Sequence, residues 1–165
     1  MSKSKESKIT LDTTPTTVGE SAVDTLTVQV KKLVPDAKLP TKDPDDAGWD
    51  LYLSARKRIP AGGKAPVSTG IAMAIPYGWN GHIRPRSGVA LNTPLMVDAG
   101  VIDPGYRGEI KIVLVNTAEM PCDVEVGMKI AQMVFERIPQ VTMQEVTDLP
   151  QSDRGTKGFG SSDKL

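Results

Sequence analysis

The sequence predicts an all-β protein: a sandwich, jelly roll or barrel of many short strands with at most one short helix. Glycine and proline number 15 and 13 in a chain of 165 residues, which is unusual for a helical protein because both disfavour helix interiors. Short apolar runs alternate with polar residues in a period of two, which is typical of strands. Turn residues separate these runs at regular spacing, as they do in all-β folds.

The first half of the chain contains three alternating runs, separated by turns that contain proline or glycine. The clearest run places Ile71, Met73 and Ile75 on one face, and Pro76-Tyr77-Gly78 ends it. Proline cannot donate to a sheet, so its position marks where a strand stops. These runs predict strands over residues 26–31, 50–53 and 67–75, with a turn at 58–63.

The second half continues the pattern and holds the one candidate helix. Residues 87–92 suit a short helix, and Pro94 limits its length. The sequence Asp103-Pro104-Gly105 is a turn between two apolar runs. Further strands are predicted over residues 81–84, 97–102, 109–115, two runs within 124–138, and 141–146.

The two ends of the chain differ in composition from the middle. Residues 1–24 are mostly polar with isolated apolar residues, and we expect them to be disordered because they bury too little surface to offset the entropy of ordering. Residues 150–165 combine glycine, serine and charged residues with one phenylalanine, which predicts a mobile C-terminal arm. The β-rich domain is therefore expected over residues 25–149.

Charge and cysteine content narrow the class of protein. The 20 basic and 20 acidic residues balance, whereas proteins that coat nucleic acid are usually strongly basic, so we expect no nucleic-acid partner. Cys122 is the only cysteine, which excludes an intrachain disulfide and favours a cytoplasmic location, or a nuclear one in a eukaryotic or viral setting. No apolar run approaches the ~18 residues of a membrane span, so we expect no membrane partner.

Five short segments carry residues suited to phosphate chemistry, although each has an ordinary explanation on its own. Asp50 is also typical of a solvated loop, and Ser87 of a helix N-cap. Asp103, at the end of an apolar strand, suits a turn residue as well as a general base. Gln132 suits an exposed strand position, and the glycine-rich tail suits a linker as well as a phosphate clamp.

Taken together, the five segments resemble the motifs of the homotrimeric dUTPase family. That family has AGxDL, PRSGxA, AGVIDxxYRGE, GxxIAQ and RGxxGFGS in this order, and the resemblance spans about residues 26–162. The resemblance implies a distorted jelly-roll or β-barrel fold. The corresponding segments here are AGWDL (47–51), PRSGVA (85–90), AGVIDPGYRGE (99–109), GMKIAQ (127–132) and RGTKGFGSS (154–162).

The resemblance implies hydrolysis of dUTP at the α-phosphorus to dUMP and pyrophosphate, with Mg²⁺ as cofactor. This reaction keeps uracil out of DNA and supplies dUMP for thymidylate synthesis. Asp103 matches the carboxylate that orients the attacking water, and Tyr106 matches the ring that packs under the deoxyribose. The main chain around Gly100, Val101 and Ile102 matches the hairpin that reads uracil.

The remaining motifs match the phosphate side of the family's site. Asp50 matches the acidic residue that helps to hold Mg²⁺, usually through water, which suits an ion that keeps several waters. Ser87 and Gln132 match phosphate-side donors, and Arg86 and Gly88, beside Ser87 in the second motif, are expected to bind substrate with them. Those that match the tail covering the base and γ-phosphate are Arg154, Phe159, Gly160, Ser161 and Ser162.

The resemblance also implies a homotrimer with shared active sites, in which one site takes motifs from three chains. Lys157, Ser162 and Asp163 depart from the common tail motif, and His82 is interpreted as structural. One alternative is a dCTP deaminase of related fold, which needs a catalytic glutamate and a longer serine-arginine motif that do not occur around PRSGVA. The other is a β-sandwich interaction module without enzymatic activity, which needs none of these motifs in register.

Overall fold

The computed structural model describes residues 25–157. The expectations that lie outside this range are the disorder of residues 1–24 and the ligand contacts of Phe159, Gly160, Ser161 and Ser162. The described elements are β1 (Gln29–Lys32), β2 (Trp49–Tyr52), β3 (Lys57–Ile59), β4 (Lys64–Ala74), β5 (Trp79–Pro85), α1 (Ser87–Asn92), β6 (Leu95–Asp98), β7 (Val101–Ile102), β8 (Glu109–Asn116), β9 (Cys122–Val124) and β10 (Lys129–Arg137).

Two antiparallel four-stranded sheets enclose a common core, so the all-β, jelly-roll prediction is confirmed. Their strand orders are β1-β4-β8-β6 and β2-β10-β5-β7, and the short pair β3-β9 stands apart from both. Both sheets contribute aliphatic side chains to one buried cluster. The largest fully buried apolar side chains are Leu51, Leu53, Val67, Ile59, Ile71, Ile110, Ile112, Leu114, Val124, Ile130 and Met133.

The central pair β4-β8 shows how the period-two pattern determines packing. Alternate residues of β8 are completely buried, while those between them are half-buried or exposed. The pairing with β4 is irregular between Ser68 and Ala72. Gly70 lies inside this irregularity with φ 68°, and a Cβ added there would lie 2.7 Å from Val34 Cγ2. Only glycine both adopts this positive φ readily and leaves room for the Val34 side chain.

Asn116, at the end of β8, is the most completely buried polar side chain in the described chain at 0% exposure. Its Nδ2 donates to the carbonyl oxygens of Pro60 at 3.2 Å and Met120 at 2.7 Å, with Ile59 O further away at 3.4 Å. Its Oδ1 accepts from Ala118 N at 3.0 Å. The Asn116 side chain therefore satisfies main-chain hydrogen-bonding groups of two loops, at residues 59–60 and 118–120.

Most predicted elements are confirmed, with strand ends shifted by up to three residues. The helix begins and ends where it was predicted, at Ser87 and Asn92. The segment 58–63, predicted as a turn, is partly wrong because residues 57–59 form β3. Their partner is β9, more than 60 residues further along the chain. A pairing at that distance leaves no local signal in the sequence.

The predicted strand over residues 97–102 is partly wrong, because it is interrupted at residues 99–100 and its two parts belong to different sheets. Its first part, β6, pairs with β8, and its second part, β7, pairs with β5. Ala99, between them, has φ 53°, a left-handed conformation that ends an extended strand. The segment is therefore a crossing between sheets rather than a hairpin paired with itself.

The last predicted strand, over residues 141–146, is also wrong for the single chain. Residues 138–157 contain no strand, and Val141, Met143, Val146 and Leu149 are exposed. Alternation alone does not make a strand, since a strand needs a hydrogen-bonding partner. Within the described residues, no helix is long and apolar enough to cross a membrane.

We expect Asn116→Ala to lower the free energy of unfolding by about 1–3 kcal/mol, because buried carbonyl groups lose their donor. Chemical denaturation at one fixed protein concentration measures the change. Thr117→Ala is the matched control, since Thr117 is an exposed neighbour that makes one side-chain hydrogen bond, to Pro94 O at 3.0 Å. Equal effects of the two substitutions would contradict the role given to Asn116.

Candidate active site

A cleft of about 390 Å³ opens on the outer face of the second sheet. Gln132 of β10 lies opposite Asp50 of β2 on one side and Arg84 of β5 on the other. Directly opposed residues of antiparallel strands project from the same face, so these pairings bring three distant segments together. The lining residues are Asp46, Ala47, Gly48, Asp50, Arg84, Arg86, Ser87, Gly88, Val89, Thr93, Gln132 and Val134.

Asp50 is the centre of the charge cluster in this cleft. Its carboxylate oxygens accept from Arg86 Nε and Lys129 Nζ, both at 2.8 Å, and its side chain is only 13% exposed. Arg86 Nη1 also donates to the Lys129 carbonyl at 3.3 Å, which ties the second motif to β10. The hydrogen bond that Lys129 donates to Asp50 raises the pKa of Lys129. Two cations on one carboxylate leave a net positive charge, which suits a polyanionic ligand.

The Gln132 amide is fixed at both of its ends. Nε2 donates to the Pro85 carbonyl at 2.9 Å, and Oε1 lies against the buried Gly48. A Cβ on residue 48 would overlap this oxygen, so the first motif needs its glycine to admit the amide of the fourth. The glycine in AGWDL thus has a packing function that involves a residue 84 positions away.

The helix α1 begins next to the cleft, and Ser87 is not its N-cap residue. Arg86 is the N-cap, with φ −96° and ψ 138°, and it makes no side-chain capping bond. Ser87 is the first helical residue and is exposed, so capping does not account for it. Gly88 follows it in the lining of the cleft. Ser87 and Gly88, at the start of the helix, therefore line the same cleft as Asp50 and Arg86.

Lys42 organises the loop that forms one wall of the cleft. Its Nζ donates to three carbonyl oxygens, those of Asp43 at 3.3 Å, Pro44 at 2.9 Å and Asp46 at 2.8 Å. The same ammonium lies 5.9 Å from the centre of the Trp49 ring. An internal cation thus closes a loop rich in aspartate and holds Asp46 at the cleft.

The third motif lies at the opposite edge of the same sheet. The order β2-β10-β5-β7 puts three strand spacings between Asp50 and Val101, about 14 Å at the usual separation of strands. Gly100 packs on the Ile83 main chain, and its carbonyl accepts from Ile83 N at 2.7 Å. Asp103 follows β7 and is exposed. It does not line the cleft.

Tyr106 stands beside Asp103 in a tight turn. Its N–H donates to the Asp103 carbonyl at 3.1 Å, and its hydroxyl donates to Glu109 O at 3.1 Å. The ring lies over Gly108, where any side chain would collide with it, and the residue is 45% exposed. The third motif is therefore a preformed unit with an exposed aromatic face and an exposed carboxylate.

In the described part of the C-terminal tail, the side chain of Arg154 contacts the tail itself. Arg154 Nε donates to Lys157 O at 3.0 Å, a bond inside the tail rather than to the cleft. The single chain thus brings together the predicted residues of the first, second and fourth motifs. It leaves Asp103, Tyr106 and Arg154 apart from them.

The carboxylates of the cleft suit one kind of metal ion. Among the described residues, no group of three or more His, Cys, Asp or Glu side chains is placed to hold a metal. Asp46 and Asp50 are the two carboxylates that line the cleft. Mg²⁺ typically takes one or two carboxylates, keeps waters and completes its shell with phosphate oxygens. The residues fit that mode of binding and do not form an all-protein cage.

The sequence did not predict Lys129 as a partner of Asp50, because this contact depends on the local geometry of β10. Lys129 and Gln132 are three residues apart, a spacing that puts side chains on opposite faces of a regular strand. The pairing of β10 with β2 shifts by one residue between Lys129 and Ala131. This bulge moves Lys129 to the face of Asp50, and bulges of this kind commonly re-aim side chains near active sites. Nothing in the local sequence marks it.

Comparisons with known proteins agree with the geometry. The family model described as dUTPase matches residues 36–163. A deoxyuridine 5'-triphosphate nucleotidohydrolase of Clostridium tetani is 48% identical over 141 residues, covering 84% of this chain and 97% of the relative. The protein of the same name from Yarrowia lipolytica is 41% identical over 140 residues, covering 83% of this chain and 89% of the relative.

Solved structures of phage enzymes have the same fold. The dUTPase of Staphylococcus bacteriophage 80alpha, solved with dUPNHPP, superimposes with a TM-score of 0.79 at 31% identity, covering 85% of this chain and all of the other. A mutant dUTPase from phage phi11 of S. aureus, described with a structural Mg(II) ion, has a TM-score of 0.70 at 27% identity. That match covers 74% of this chain and 97% of the phage protein.

We expect Gly48→Ala to displace the Gln132 amide and to lower the free energy of unfolding by about 1–3 kcal/mol through overpacking. Denaturation measures the stability, and the chemical shifts of the Gln132 side-chain amide report its displacement. Gly88→Ala is the control, because a Cβ there meets nothing within 4 Å. Alanine in that helix is expected to be neutral or to stabilise by up to about 1 kcal/mol. An unmoved Gln132 amide in Gly48→Ala would refute the packing role.

Proposed function

The chain belongs to the dUTPase family and is a dUTP nucleotidohydrolase, and we propose that its cleft holds the triphosphate while Asp103 of a neighbouring copy activates the water. The observation that carries this proposal is the division of the motifs within one chain. The phosphate-side residues converge around Asp50, whereas Asp103 lies at the far edge of the sheet. Catalysis needs both groups within a few ångströms of one substrate.

The charge of the cleft suits the triphosphate end of dUTP. Arg84 and Arg86 line it, and Lys129 adjoins it through Asp50. The Ser87 hydroxyl and the Gln132 amide supply neutral donors for phosphate oxygens. Asp50 would hold Mg²⁺ through water, and the ion, when bound, neutralises phosphate charge and polarises the phosphoryl oxygens.

Asp103 is proposed as the general base. Water attacks the α-phosphorus through its oxygen, and its proton passes to the Asp103 carboxylate. The bond from the α-phosphorus to the bridging oxygen breaks, and pyrophosphate leaves with the electron pair. Phosphoryl transfer of this kind depends mainly on positioning and electrostatics, so one oriented base suffices.

Selection of deoxyuridine is proposed to come from the third motif. Strand β7 is the edge of its sheet, so one side of Val101 and Ile102 pairs with β5 while the other side points outward. Outward main-chain donors and acceptors can pair with uracil as a base partner does. A mismatched base leaves a polar group unpaired, at a cost of about 1–3 kcal/mol. The exposed Tyr106 ring is proposed to pack against the deoxyribose and exclude a 2′-hydroxyl.

The neighbouring copy is proposed to belong to a homotrimer held together by exchanged arms. An apolar groove of about 590 Å³ lies at an open end of the sandwich, between β1 and the outer part of β10. Its large side chains include Val28, Trp49, Trp79 and Phe135. The arm of residues 138–149 leaves β10 with its apolar side chains exposed.

Each chain thus has both an uncovered apolar groove and an apolar arm without a binding surface. Full burial of one large aliphatic side chain contributes about 1.5–3 kcal/mol. If each arm enters the groove of the next copy, the rotation closes into a ring without free surfaces. Such a ring would also bring the third motif and tail of one chain to the cleft of another.

We expect the protein to release pyrophosphate from dUTP with Mg²⁺ and to release no ammonia from dCTP. In Asp103→Asn, kcat should fall about 10²–10⁴-fold, since a general base contributes that much, while affinity for a non-hydrolysable dUTP analogue is kept. Asp98→Asn is the control, because Asp98 is an exposed carboxylate in the same region that pairs with Lys64 at 3.4 Å. Near wild-type kcat in Asp103→Asn would exclude Asp103 as the base.

Sharing of the site is tested by mixing two inactive proteins. One is Asp103→Asn, and the other is truncated after Gln151 and lacks the tail motif. After random exchange between equal amounts of the two proteins, about one third of the sites in mixed trimers, or about one quarter of all sites, combine an intact Asp103 with an intact tail. Partial activity should therefore return. Verified exchange without recovered activity, or a native mass equal to one chain, would overturn the shared site.

A further inference from the structure

The single negative charge of Asp50 is paired with two positively charged side chains. Arg86 and Lys129 each lie at 2.8 Å from a different oxygen of its carboxylate. The same carboxylate is the proposed partner of hydrated Mg²⁺. A carboxylate offers about four lone-pair positions, but two cations already in place repel a third. Departure of one resident cation would therefore free an oxygen of Asp50 for the hydrated ion.

Arg86 is the cation that is held more firmly. It donates from Nε to Asp50 and from Nη1 to the Lys129 carbonyl, and its side chain is 33% exposed. Two donors fixed in a planar guanidinium resist displacement. It is also the N-cap residue of α1, so its backbone is part of a turn.

Lys129 is the more exposed cation and has a second partner besides Asp50. Its side chain is 46% exposed, and its Nζ is 5.7 Å from the centre of the Tyr52 ring, which Lys38 Nζ also approaches at 5.4 Å. An ammonium group is a point charge on a flexible stem and gains energy from an aromatic face. Tyr52 is itself held by a hydrogen bond of 2.6 Å between its hydroxyl and Thr41 Oγ1. If Lys129 leaves Asp50, it therefore still has its contact with a fixed aromatic ring.

We propose that Lys129 is a stand-in cation, which holds Asp50 in place while the site is empty and leaves it when the metal–nucleotide complex arrives. Lys129 is a positioning residue, since it acts through Asp50. The inference rests on the proposed function, because it needs dUTP in this cleft. It accounts for the bulge in β10, which brings Lys129 to Asp50 where regular pairing would not.

The stand-in role predicts a change in the coupling between metal and nucleotide. The coupling factor is the Kd of α,β-imido-dUTP in EDTA divided by its Kd in Mg²⁺, both measured by calorimetry on the full chain. Lys129→Gln removes the competitor of the metal and also leaves Asp50 less neutralised when metal is absent. Both effects raise the coupling factor, and we expect a rise of about five- to tenfold, within the usual range of coupling between sites.

Two controls distinguish this role from others. Lys129→Arg keeps the charge, and its guanidinium resists displacement from Asp50, so the coupling factor should stay at or below the wild-type value instead of rising. Lys111→Gln removes a remote lysine that pairs with Glu109 at 3.7 Å and should change neither Kd. Equal weakening in EDTA and in Mg²⁺ by Lys129→Gln would indicate a direct phosphate contact or a structural role and would overturn the inference.

A second measurement uses the wild-type protein and does not depend on how Lys129→Gln folds. The ammonium resonance of Lys129 is assigned by its absence in Lys129→Arg and followed by NMR. It should shift when Mg²⁺ is added to the complex with α,β-imido-dUTP, and a resonance that does not move would overturn the inference. If wild-type protein binds no analogue under either condition, the proposed function itself fails, a result distinct from an unchanged coupling factor.

Discussion

The pairing of β10 with two neighbours is the constraint on which the functional half of the molecule depends. Strand β10 lies between β2 and β5, and its register sets Gln132 opposite both Asp50 and Arg84. A shift of β10 by one residue would turn Gln132 to the core face, away from Asp50 and Arg84. The buried Ala131 and Met133 on the other face of β10 resist such a shift, since moving them outward would expose part of the core. Packing of the core therefore fixes the polar cleft on the opposite face.

The proposed functional groups lie at two separate places on this sheet. Phosphate-side groups gather where β2, β10 and β5 meet, and the unit of Asp103 and Tyr106 follows the edge strand β7. A small aliphatic core supports such a sheet but does not bend it enough to join its edges. The proposed assembly with other copies would solve this geometric problem and would also cover the exposed arm of residues 138–149. Stability and catalysis would then be linked, because the contacts that bury apolar surface would also complete the site.

The charge balance at Asp50 is the electrostatic centre of the cleft. Arg86 and Lys129 compensate a carboxylate that is mostly shielded from water. Under the proposed exchange, the oxygens of a metal-bound triphosphate would become the stronger acceptors for Lys129, and Asp50 would face the hydrated ion. A second lysine has a structural role nearby, since Lys42 holds three main-chain carbonyls of the adjoining loop.

The sequence alone determined the fold class, most strand positions, the helix at Ser87–Asn92 and the identity of the motifs, because alternation, turn residues and short motifs are local signals. It did not determine pairings between distant segments. The strand β3, the division of residues 97–102 between two sheets and the missing strand at 141–146 all depend on which partner is present. Lys129 entered the site only through a bulge in β10, and Gly48 acquired its purpose only from contact with Gln132. These features arise from register and packing, which are properties of the folded chain and leave no periodic trace in the sequence.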